Sequence, residues 1–143
     1  MPTTTTNPVQ TQVYDYALAL CEALRQDYKA CSYRMIKSGN ESELSEYAKG
    51  RLAQLDNDEV SMRFRIESGR KFYKIIQQDE RDGSWRDGSV HAFITKTTGD
   101  VYKPASWKAP AKHVRYDLRI IRHREFLHNP ANTDWAGGHL YMR

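Results

Sequence analysis

The hydrophobic period of this 143-residue chain changes near residue 60, and that change limits the fold more than any other feature. Before it, Val13, Ala17, Leu20, Cys21, Leu24 and Tyr28 recur at the spacing of one helix face. After it, Val60, Met62, Phe64 and Ile66 alternate with Ser61, Arg63, Arg65 and Glu67, the pattern of a half-buried strand. A chain that is helical first and stranded afterwards cannot interleave helices with parallel strands. The expected class is therefore α+β: two N-terminal helices followed by an antiparallel meander in a single domain.

Local signals set the expected boundaries. Asn7-Pro8 offers a cap and a first-turn proline for a helix over 8–29. Asn40 and Glu43 resemble a capping box for a second helix over 41–55, whose apolar stripe is Leu44, Tyr47, Ala48, Leu52 and Leu55. Strands follow over 60–66 and 71–77, turned at Ser68-Gly69, then over 89–95 and from Val101 to Lys103. The polar stretch Asp79 to Gly88 reads as an exposed loop. Val114 to Ile121 fits either a strand or a helix, the strand being preferred, and His139 to Met142 offers a short last strand. Residues 1–7 read as a flexible tail and 8–143 as the domain.

No apolar run approaches the roughly 18 residues that span a bilayer, and the first ten residues lack the basic start and apolar core of a signal peptide. Cys21 and Cys31, without Cys-x-x-Cys spacing, read as two buried free thiols. These features favour an intracellular setting without a membrane partner.

The run Val90-His91-Ala92-Phe93-Ile94, followed by Lys96 to Asp100 and by Val101-Tyr102-Lys103-Pro104-Ala105-Ser106-Trp107-Lys108-Ala109-Pro110-Ala111-Lys112-His113-Val114-Arg115-Tyr116-Asp117-Leu118, is distinctive. It resembles a stretch found in small uncharacterised proteins of tailed bacteriophages, as does Gly69-Arg70-Lys71 with the aromatic pair after it. The resemblance covers about a third of the chain and leaves out the helical first half. It implies a phage origin and the host cytoplasm, and it transfers no catalytic residue.

Chemistry-bearing patterns are sparse. The histidines 91, 113, 123, 128 and 139 show no His-Glu-x-x-His or paired-cysteine arrangement, so neither a metal nor a cofactor is expected. Ser106 lacks a nucleophile-elbow context, and the acids of the 79–88 stretch read as solvated, so the chain reads as a binder rather than an enzyme. Charge gives the better clue. Residues 8–59 carry nine acids against six Lys and Arg, while residues 104–143 carry seven bases against three acids.

Between Lys103 and Arg124, the cations Lys103, Lys108, Lys112, Arg115, Arg119, Arg122 and Arg124 surround one acid, Asp117, and are interleaved with Trp107 and Tyr116. Cations neutralise phosphates and aromatic faces stack on bases, so this mixture points to a phosphate-bearing ligand. Arg115 is the leading phosphate contact expected, because a guanidinium engages two oxygens at once. Arg70 and Lys71 are expected to assist. The plainer alternatives are a solvated strand face for the charges and a core plug for Trp107. Nucleic acid is the first partner expected. A small nucleotide immune signal, a host protein, a virion role and self-association are the others.

Overall fold

The computed structural model describes residues 8–37 and 45–140. The first helix, α1 (Pro8–Lys37), runs eight residues past its expected end because no glycine or proline interrupts Lys29 to Lys37. The tail at 1–7, the Ser38-Gly39-Asn40 break and the Asn40/Glu43 capping box lie outside the described residues. The second helix, α2 (Glu46–Asp56), is capped instead by Ser45, whose Oγ accepts from the Ala48 N–H at 3.1 Å.

Five antiparallel strands then form one sheet in chain order: β1 (Met62–Ser68), β2 (Phe72–Arg81), β3 (Ser84–Thr95), β4 (Asp100–Tyr102) and β5 (Tyr116–Asp117). The α+β meander expected from the period change is the observed fold. The stretch 79–88, read as a loop, is instead the distal end of a long β2–β3 hairpin. Asp82 at φ 52° and Gly83 at φ 78° form a two-residue turn of the left-handed kind that matches strand twist. Polar side chains on both faces of that arm hide its alternation, so hydrophobicity alone cannot mark it. Register irregularities between Ile75 and Gln78 separate the buried base of the hairpin from this exposed arm.

The segment 114–121 is mostly neither a strand nor a helix. It holds the two residues of β5 and then leads into α3 (Ile121–Leu127). Val114, Ile120 and Ile121 are exposed, so most of the apparent apolar periodicity there does not report burial. The expected last strand is replaced by a single 3-10 turn, Gly138–Leu140, and residues 141–142 lie outside the described residues.

One face of the sheet buries against α1. Val13, Ala17, Leu20 and Leu24 of the helix meet Met62, Phe64, Tyr73, Ile75, Ala92, Ile94 and Val101, closed off by Leu118, Leu127 and Leu140. Each large aliphatic side chain fully buried there contributes about 1.5–3 kcal/mol. The opposite face, reached by the alternate residues, carries Arg63, Arg65, Glu67, Phe72, Lys74, Gln78 and Glu80. Among the described residues, its end at Arg63 and Glu80 borders a cleft shared with Arg25, Arg51 and Gln54 of the helices. No helix among the described residues is long and apolar enough to cross a membrane.

Candidate nucleic-acid interface

The loop after β4 is itself a small hairpin. Pro104 and Pro110 face each other in an antiparallel bridge, and the Ala111 N–H donates to the Lys103 carbonyl at 2.7 Å. The Ala105 and Ser106 N–H groups both donate to the Ala109 carbonyl, at 3.0 and 3.1 Å. Proline fixes φ, and these bonds fix the rest, so the tip residues Trp107 and Lys108 are presented on a stiff support. Trp107 is not a core plug: it is 43% exposed. Its indole lies under the Lys74 ammonium, 5.1 Å from the ring centre.

Lys74 connects the tip to the outer face. It also sits 5.7 Å from the Phe93 ring centre and 3.6 Å from the Glu67 carboxylate. Phe72 meets Phe93 edge-on at 5.7 Å and Tyr102 at 6.2 Å, and the Lys71 ammonium lies 5.6 Å from the Phe72 ring. The result is an aromatic shelf of Phe72, Tyr102 and Trp107 with cations at its rim. Lys96 closes the turn end of the sheet, bound to Ser68 Oγ at 2.6 Å and lying over Tyr73.

The expected site residues separate into two groups. Lys71, Trp107 and Lys108 share this end of the outer face, and exposed Arg70 adjoins it in the β1–β2 turn. Among the described residues, Arg70, Lys71, Lys108, Lys112 and Arg119 form no ion pair with a carboxylate. By contrast, the helical half matches its charges, with Arg25 and Lys29 both on Asp58 at 2.9 and 3.1 Å.

The second group is structural. Arg115, expected as the leading phosphate contact, spends its guanidinium on three backbone carbonyls: Leu140 at 2.7 Å, Lys112 at 2.8 Å and His113 at 2.6 Å. It staples the C-terminal segment to the loop instead of facing solvent. Tyr116, expected as a stacking surface, is half-buried, stacked on Phe126 at 5.7 Å, and its hydroxyl donates to the His139 carbonyl. Lys103 is half-buried beside His91 and Trp135 in a small cavity of about 180 Å³. Lys112 and Arg119 belong to neither group: both are exposed, Arg119 with its aliphatic stem close to Gly99.

A family model described as a family of unknown function (DUF7717) matches residues 1–142. The chain belongs to this family. No curated protein and no solved structure matches the DUF7717 chain.

Sequence reasoning undervalued Lys74 and missed the packing of Phe72, Phe93 and Tyr102. The usable signal was parity: Phe72 and Lys74 are two apart on a strand, hence on one face. For the histidines, no group of three or more potential metal ligands converges among the described residues. Ser106 Oγ accepts from the Lys108 N–H at 3.3 Å, which shapes the hairpin tip. His91 is fully enclosed, and burial, reinforced by the nearby His139, pushes it down to about 3.

Proposed function

We propose that this DUF7717 chain is a non-catalytic phage accessory protein of the host cytoplasm that holds single-stranded nucleic acid on the outer face of its sheet. The observation that carries the reading is the exposed Trp107 indole, held on a proline-bridged hairpin under the Lys74 ammonium, with Lys108 next to it in the chain. A stiff, exposed aromatic costs little entropy when a base stacks on it, and such stacking contributes about 1–3 kcal/mol per base. Lys71, Lys108 and Arg70 supply charge for the backbone, with Lys112 and Arg119 further along the loop. Arg115 and Tyr116 act through the shape of the loop.

Fluorescence anisotropy with a labelled single-stranded oligonucleotide tests this. Engaging three or four phosphates predicts a log–log salt slope of roughly −2 to −3. Trp107→Ala should weaken binding roughly five- to hundredfold while leaving the melting temperature near that of the parent. A folded Trp107→Ala, Lys71→Ala double variant that binds like the parent would remove the basis for the reading.

A protein-docking role is the second reading. It is favoured by the exposed Met35 and Tyr47, which line a groove of about 310 Å³ with Tyr28, Ile36 and Trp135. Among the described residues the outer edge of β1 carries no further strand, which supports self-association by edge pairing. Light scattering at high micromolar concentration separates monomer from dimer.

A further inference from the structure

A separate cleft lies at the other end of the sheet, where Val60 and Ser61 lead into β1. A cleft of about 470 Å³ opens there between the helices and the β2–β3 arm. That volume is within the roughly 300–1,000 Å³ of small-molecule sites. Arg25, Arg51 and Gln54 form its helical wall, and Arg63, Glu80 and Trp85 its sheet wall. Along β2, six residues separate Lys74 from Glu80, so the cleft is about 20 Å from the Trp107 shelf.

Its charges are arranged for a ligand of mixed character. Arg63 Nε donates to Gln78 Oε1 at 2.8 Å, and the guanidinium lies 4.1 Å from the Trp85 ring centre. Its two terminal nitrogens have no hydrogen-bond partner among the described residues. Arg51 makes one side-chain bond, to Gln54 at 3.0 Å, and no ion pair. Arg25, in contrast, is committed to Asp58. Two guanidiniums without carboxylate partners thus reach a cleft that also holds a half-buried indole. Facing them are Glu59 and Glu80, neither ion-paired among the described residues, which can only accept hydrogen bonds.

We propose that this cleft binds a nucleoside phosphate, with the phosphate on Arg51 and Arg63 and the base beside the Arg63–Trp85 stack. The carboxylates of Glu59 and Glu80 favour bases that carry an amino donor, so guanine and adenine bind better than uracil. The site is independent of the outer-face reading and of Trp107. Its arginines are held by different elements, Arg51 by α2 and Arg63 by β1.

Calorimetric titration of the full chain with GMP, AMP, UMP and ribose 5-phosphate tests the assignment. Saturable binding of GMP and AMP is expected, tighter than UMP and far tighter than the baseless sugar phosphate. Arg63→Gln and Arg51→Gln should each weaken GMP binding roughly ten- to hundredfold. Both side chains are partly exposed and make few contacts, so an unchanged melting temperature will certify the fold. Trp107→Ala should bind GMP as the parent does, even where it loses oligonucleotide. Four results would overturn the proposal: no saturable nucleotide binding, ribose 5-phosphate bound as tightly as GMP, arginine variants that bind like the parent, or loss of GMP binding in Trp107→Ala.

Discussion

Acid should unfold this protein through its histidines before its carboxylates are neutralised. His91 is buried against Phe64, at a ring separation of 5.2 Å, and against His139 at 5.3 Å. Among the described residues the Nε2 atoms of both histidines are buried without a hydrogen-bond partner. Burial foremost, and then the neighbouring His139, push His91 from 6.5 down to about 3, opposed by a backbone bond at Trp135. The folded protein therefore stays neutral at this ring where the unfolded chain takes up a proton. Stability is complete above the unfolded value of about 6.5 and falls as pH drops from there towards 3, by about 1.4 kcal/mol per pH unit. At pH 5, roughly 1.5 units into that window, the loss from His91 is about 2 kcal/mol. His139 and His128 are lowered too, mainly by burial, so their contributions have the same sign. Urea titrations at pH 7.5, 6 and 5 measure the slope, and His91→Phe should reduce it by about one proton. A midpoint that does not move between pH 7.5 and 5 would refute the argument, as would an unchanged slope in His91→Phe.

Arg115→Ala should destabilise the fold by about 2–4 kcal/mol, because it strips three carbonyls of a charged donor, and thermal melting checks this. Its effect on oligonucleotide binding should follow unfolding and vanish at low temperature. Leu20→Ala, at a fully buried position, should cost about 2–5 kcal/mol in chemical denaturation. Under native conditions a thiol reagent should label Cys31 first, because burial holds the Cys21 thiol up at about 12. Equal labelling rates would show that α1 does not seal against the sheet.

The fold was legible where burial is one-sided. In Met62, Phe64, Tyr73 and Ile75 the alternation in sequence is the alternation in space, so the meander could be read directly. It failed where both strand faces are solvated, as in the arm from Asp79 to Asp87, although Asp82-Gly83 marked the turn. The candidate site was legible as composition only. Sequence shows that cations and aromatics are close along the chain, but not whether a guanidinium faces water or backbone carbonyls. Arg115 and Lys108 both read as phosphate contacts in the sequence, Arg115 foremost, and Arg115 is a staple while Lys108 is exposed. Trp107 posed the reverse problem, since two flanking prolines are equally compatible with a core plug and an exposed tip.

The thin attachment of α2 has a consequence for motion. Of its residues only Leu55 is buried, and it ends on Asp58 in a left-handed conformation at φ 60°, a position where glycine would be unstrained. What anchors that end is polar: Asp58 pairs with Arg25 and Lys29, and the Tyr33 hydroxyl donates to the Asp56 carboxylate. A helix held by one buried leucine, one exposed hydrogen bond and two screened ion pairs opens on its own, at a free energy below that of the sheet. Its amides should exchange with deuterium well before those of β2 and β3, and faster still in high salt. Arg51 rides on that helix, so a molecule seated in the neighbouring cleft would slow exchange across α2 without changing the rates in the strands.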